Sequence, residues 1–276
     1  MEGESQQLPA PDAALSTRVG LACANSRKRI LFIEHQGEKL CIKRAQRNPG
    51  RRVTAWFTRL LLQPLCHHPV KLSAVIAPDR QEGLHHEATR LMQYNRAGVA
   101  TPKLKAVSDY WFAMSVPGIL FGNALREGDQ AEREALLRDA VIALADFHEA
   151  DHWHGGAQIK NLLYGDGQIY RIDFEERLAT AFDLPLIQVW DVFGFMMSVG
   201  RLRKYFDIPT RERLIETLVR EYLAHGERKQ LQDLLARFAR RGLTLVERFR
   251  FTRYLGAKRS LERVEMVSQY ILRGCD

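Results

Sequence analysis

Cysteine is scarce in this sequence and patterned for nothing. Cys23, Cys41, Cys66 and Cys275 form no C-x-x-C pair, which fits reduced thiols in a cytoplasmic chain and not a disulfide framework. Long apolar runs are missing as well. None approaches the roughly 18 residues that a bilayer crossing needs, and the first 25 residues lack the charged-then-apolar pattern of a secretory leader. The expectation is a cytoplasmic protein, with any membrane contact peripheral at the inner face. Internal repeats and low-complexity tracts are also absent.

What is present is ample core material. The 276 residues are 46% hydrophobic and 9% aromatic, enough for one large domain or two small lobes. A net charge of +8 and a pI near 9.5 suit an anionic partner such as nucleotide phosphate, phospholipid headgroups or nucleic acid. Much of that excess lies in Arg-rich amphipathic stretches, where a solvated helix face explains it.

Residues 1–25 are polar, with little periodicity, and read as a mobile tail. Two short apolar runs, 29–34 and 39–43, flank a Gly-containing turn and predict a β-hairpin. Val53, Trp56, Phe57, Leu60 and Leu61 recur at helical spacing between Pro49 and Pro64, which predicts a basic amphipathic helix. A helix over 83–97 follows, ended by Gly98 and Pro102, then two strands within 105–116 and a lobe boundary at Pro117-Gly118. Residues 131–148 form an apolar-faced helix. Short strands at 162–163 and 169–172 flank a Gly165-Asp166-Gly167 turn and place Asp173 at a strand end. Helices over 186–201, 211–224, 227–240 and 245 onward complete the chain.

The chemistry concentrates in two ordered segments. His154-Gly155-Gly156-Ala157-Gln158-Ile159-Lys160-Asn161 has the spacing of H-x-D-x-x-x-x-N with Gly156 in place of the Asp, and Asp173-Phe174-Glu175 follows a short hairpin later. Upstream, Leu40-Cys41-Ile42-Lys43 closes a strand on a lysine, and Glu87 sits beside the apolar face of a helix. Strand alternation puts Cys41 and Lys43 on one face. On these residues, over roughly 29–200, the chain resembles the protein-kinase-like phosphotransferases, nearest the bacterial lipopolysaccharide-kinase branch of small atypical kinases.

The resemblance implies an α+β, bilobal fold: a mobile tail (1–25), a β-rich N-terminal lobe (26–117) and a helical C-terminal lobe (118–276). It implies ATP and Mg²⁺ as cofactors. Lys43 would position the phosphates, Glu87 would orient Lys43, and Asn161 and Asp173 would hold the metal. Cys41 would line the adenine pocket, His154 would pack the catalytic loop, and Asp191 would brace its backbone. A solvated helix-flank role for Glu87 stays open.

Two departures shape the functional expectation. No Gly-rich loop precedes Lys43; Ala24-Asn25-Ser26-Arg27-Lys28-Arg29 stands there, so Ser26, the backbone amides and the basic side chains are the phosphate-facing candidates. Gly156 replaces the residue that takes the acceptor proton, a role worth about 10²–10⁴-fold. Gln158 can align a hydroxyl but not accept its proton, and Glu175 or Glu176 is the substitute carboxylate within reach in sequence. The stretch from Asp173 to Asp191 is too short for a peptide-docking segment, which points to a sugar-like or glycolipid acceptor. The basic 49–64 segment offers a contact for an anionic membrane surface, with lobe packing as its plainer role. The alternative function is a pseudokinase, a nucleotide-binding module without turnover. A nucleic-acid-binding role accounts for the charge but not for the ordered motif. Cys66-His67-His68 and His85-His86 match no regular zinc spacing.

Overall fold

In the computed structural model, residues 8–45, 63, 80–226, 228–249 and 258–276 are described. The 49–64 helix expectation and Cys66-His67-His68 fall outside them. The architecture is mixed α+β, with two small sheets and a majority of helix. No helix among the described residues is long and apolar enough to cross a membrane.

Described residues 8–45, 80–119 and 163–176 make up one compact unit. It opens with a helix, α1 (Ala13–Ala24), where a mobile tail was expected. The correction has a local cause. Asp12 caps the helix by accepting from the Leu15 N–H, and Leu15, Val19, Ala22 and Cys23 recur on one face, so the segment buries a stripe against the sheet. Strands β1 (Ile30–His35) and β2 (Glu38–Arg44) form the expected hairpin, and β3 (Leu104–Val107) and β4 (Trp111–Ser115) complete an antiparallel sheet in the order β1-β2-β4-β3.

Alternation on β2 sorts its side chains. Leu40 and Ile42 join Leu15, Val19, Leu31, Ala106 and Ala113 in the core under α1, which leaves Cys41 and Lys43 on the opposite face. There the helix α2 (Arg80–Arg96) carries Glu87. A second sheet, in the order β5-β6-β7, comprises β5 (Ile119–Leu120), β6 (Leu162–Gly165) and β7 (Gln168–Arg171). Gly118 and Gly165 are required by close approach. A Cβ on Gly165 would lie 2.1 Å from the Pro117 carbonyl oxygen, and one on Gly118 would lie 2.3 Å from that of Tyr164.

The remaining described residues, 63, 120–162, 177–226, 228–249 and 258–276, form the second unit. The division therefore does not follow chain order: the segment Leu163–Glu176, placed in the C-terminal lobe by sequence, groups with the first unit. Helices α3 (Phe121–Glu127), α4 (Gln130–Glu149), α5 (Leu184–Val199), α6 (Ile208–Ala224), α7 (Lys229–Arg248) and α8 (Lys258–Cys275) build this second unit. A break near 240–245 was expected; α7 instead runs through Gly242 to Arg248. Gly242 survives inside that helix because a Cβ there would meet the Ser268 hydroxyl of α8 at 2.5 Å.

Helix α5 is apolar nearly all round, which is the pattern of a helix buried on every side. Its exceptions are ordered. Gln188, Asp191 and Ser198 share one face, and each is hydrogen-bonded to the segment 148–159. That polar stripe fixes the 148–159 segment.

Candidate active site

Lys43 is the centre of the first unit's site. It is 4% exposed, and a buried ammonium requires compensation. Its Nζ lies 2.6 Å from a Glu87 oxygen, 2.5 Å from an Asp173 oxygen and 2.9 Å from Glu175 Oε1. The ammonium has three N–H donors, and three carboxylates surround it. Glu175 Oε1 also accepts a hydrogen bond from the Arg29 guanidinium. Burial pushes the Glu87 carboxyl up, opposed by the Lys43 ammonium and reinforced by the nearby Asp173 charge.

Local structure explains how Asp173 and Glu175 reach Lys43. Asp173 follows β7 in the left-handed region, with φ at 72°, a conformation that Asp tolerates better than most residues. The chain then docks on α2. Phe174 is buried, its ring 4.8 Å from that of Tyr94, and the Arg90 guanidinium lies 5.3 Å above it. Arg90 also donates to the carbonyls of Phe174 and Glu176, and the second of these is bonded to a His86 ring nitrogen. One helix thus supplies the partner of Lys43 and the clamp on the Asp-Phe-Glu segment. Sequence reasoning missed Arg90, although its i+3 spacing from Glu87 places it on the same flank of α2.

Cys41 pairs with Met114 in the sheet and is buried, and burial raises its thiol pKa to about 11. Ser26 belongs to the turn between α1 and β1. Its hydroxyl accepts from the Lys28 N–H and its carbonyl from Arg44, so this turn is held by its own side chains. Arg29 closes the turn. Sequence reasoning counted it only among the basic side chains there; its bond to Glu175 joins residues 146 positions apart and leaves no local signal. Glu175 is thereby held by Lys43 and Arg29 together.

The second unit holds the loop residues. Asp191, fully buried, accepts from the backbone N–H groups of His154, Gly155 and Ala157 at 2.6, 2.8 and 3.3 Å. Burial alone would raise its carboxyl pKa. The His148 hydrogen bond and charge, the nearby His154 and the backbone donor outweigh this and lower it. His148, 3.4 Å from Asp191, also bonds the Tyr222 hydroxyl at 2.6 Å. His154 is fully buried, and its Nδ1 accepts from the Gly156 N–H. The Trp190 indole donates to the Gly155 carbonyl.

Asn161 donates its amide N–H to the Gly156 carbonyl at 2.8 Å, which fixes which end of the amide is its acceptor. Its Oδ1 is the atom a hard cation would take. In the first unit, the Asp173 carboxylate is about a third exposed. Amide and carboxylate oxygens fit Mg²⁺ and do not select a softer metal. Glu87, Asp173 and Glu175 also lie close enough to one another to share an ion, although Lys43 already stands among them. Gly156 is not demanded by its backbone. A Cβ there would meet only Asn161 Nδ2 at 3.7 Å and His154 Nδ1 at 3.8 Å, ordinary contacts, and its φ is not positive.

No family model matches the chain. It is similar to an uncharacterized protein of Haemophilus influenzae, 23% identical over 248 residues that cover 89% of this chain and 88% of that one.

Proposed function

We propose that the chain is an ATP- and Mg²⁺-dependent phosphotransferase of the bilobal kinase-like fold, acting on a hydroxyl of a lipopolysaccharide-core or related sugar. The observation that carries this reading is the buried contact of Lys43 with Glu87 on one side and Asp173 on the other. A lysine on a strand, a glutamate on a helix and an aspartate after a distant hairpin converge on one nitrogen. Lys43 positions the phosphates, and Glu87 orients Lys43. Asn161 and Asp173 would hold Mg²⁺, which would supply positive charge to the transferring phosphoryl group. His154 and Asp191 keep the loop backbone in shape. Only one short helical turn, Leu178–Thr180, stands between Asp173 and α5, so the chain offers no long platform for a peptide and favours a small or glycolipid acceptor. ATP supply would place the enzyme in the cytoplasm, with peripheral access to the inner membrane face.

Gly156 favours a second reading, a pseudokinase that binds nucleotide and does not turn it over. The test is ATP consumption with Mg²⁺ in the presence and absence of envelope glycolipid extracts. Acceptor-dependent consumption is the expected result. Nucleotide binding without consumption under any acceptor would move the assignment to the pseudokinase, and absence of binding would contradict both.

A further inference from the structure

We propose that Arg29 and Lys43 together form a phosphate grip, and that Glu175 occupies this grip when no nucleotide is bound. The inference rests on the nucleotide-binding reading above. Its first support is that one oxygen, Glu175 Oε1, is contacted by both cations, by Lys43 Nζ at 2.9 Å and by an Arg29 Nη. A single anionic oxygen between an ammonium and a guanidinium is an arrangement that a phosphate oxygen can take over. Guanidinium groups bind phosphate in a two-pronged fashion.

The second support is an unsatisfied donor. Arg29 Nε is buried without a hydrogen-bond partner, although a buried donor of a charged group costs free energy when it is left unpaired. One oxygen of Glu175 uses one face of the guanidinium and leaves that N–H for a further acceptor.

The third support is what the preceding turn cannot do. A Gly-rich loop cradles phosphates with its backbone N–H groups. Between α1 and β1 there is no glycine, and Ser26 Oγ already takes the Lys28 N–H while Arg44 holds the Ser26 and Lys28 carbonyls. Positive charge at this position therefore has to come from side chains, and Arg29 is the one aimed at Lys43. Charge balance sets the order of events. Glu87, Asp173 and Glu175 already face Arg29 and Lys43, so an incoming phosphate displaces a carboxylate instead of adding to the carboxyl groups there. Glu87 sits on α2 and Asp173 is the metal ligand, which leaves Glu175 as the group that yields.

Isothermal titration of wild type, Arg29→Ala, Arg29→Lys, Glu175→Gln and Lys43→Ala with Mg²⁺-ATP, tripolyphosphate and adenosine tests the proposal, with folding of each variant checked by circular dichroism. Arg29→Ala should weaken Mg²⁺-ATP and tripolyphosphate about tenfold or more and leave adenosine unchanged. Arg29→Lys should recover part of that loss. Glu175→Gln should tighten both phosphate ligands by about threefold to tenfold, because it removes the competing charge. Wild-type-like affinity in Arg29→Ala overturns the grip, and unchanged or weakened affinity in Glu175→Gln overturns its occupancy by Glu175. If wild-type binding depends on Lys43 and not on Arg29, this proposal alone fails; if wild type binds neither phosphate ligand, the nucleotide reading fails with it.

Discussion

Asp173 and Asp191 are both carboxylates, one in each unit, and they are satisfied by different partners. Asp191 is fully buried and accepts from the backbone N–H groups of His154, Gly155 and Ala157. Asp173 is about a third exposed, and its ammonium partner is shared with Glu87 and Glu175. Backbone partners fix a shape, whereas shared side-chain charges can be exchanged for the charges of a ligand. The second unit's loop is thus held through backbone bonds, and the first unit's cluster through shared side-chain charge.

The largest expected effect breaks the rigid side of this comparison. Asp191→Ala leaves buried N–H groups of the 154–157 loop unpaired and should destabilise the protein by about 3 kcal/mol or more, measured by denaturant unfolding. Its pH dependence has a definite sign. The folded carboxyl ionises more readily than the unfolded one, so its contribution is complete above the ordinary Asp range, near pH 4, and fades as pH falls through the lower folded value. Asp191→Asn should therefore flatten the acid limb of the stability profile. Loss of stability in the wild type that is indifferent to this change would contradict the assignment.

Gly156→Asp sharpens the comparison, since it adds a carboxylate beside the rigid loop without disturbing Asp191. The Cβ has room, with its nearest neighbours at 3.7 and 3.8 Å. If the chain is a degenerate kinase, ATP turnover should rise by about ten- to a hundredfold. Turnover in the wild type that the variant leaves unchanged or lowers would mean that another group takes the acceptor proton.

The smallest effect concerns the face that Cys41 shares with Lys43. Burial keeps its thiol protonated at neutral pH, with a pKa near 11, whereas Cys23 is partly exposed. Mass-spectrometric mapping of alkylation should show Cys23 labelled well before Cys41, and Mg²⁺-ATP should slow Cys41 further. Equal rates for the two would contradict the placement of β2 in the sheet.

What the sequence made legible follows from the range of each signal. The β1-β2 hairpin, α2, α4 and the β6-β7 hairpin carry their periodicity or turn residues within themselves, and residue spacing was enough to find them. Lys43, Glu87 and Asp173 were picked out by motif resemblance, and the structure brings them onto one nitrogen. The stripe of helix α1 is short, and it gains weight only where Leu15 and Val19 meet Leu40 and Ile42 in the core beneath it. The Arg29–Glu175 bond and the His148–Tyr222 bond join residues far apart in the chain. No local pattern encodes such pairs. Only the fold shows that the same glutamate is shared by two cations.

The central claim is that the Lys43 cluster binds nucleotide with a metal held by Asp173. Thermal unfolding of wild type and Asp173→Ala across a series of Mg²⁺-ATP concentrations tests it most directly. A ligand present at about 100 times its dissociation constant and bound only by the folded chain adds about 2.7 kcal/mol, so the wild-type transition should climb with nucleotide and that of Asp173→Ala should climb far less. A wild-type transition that stays flat into the millimolar range, or an Asp173→Ala transition that rises in parallel with it, would contradict the account.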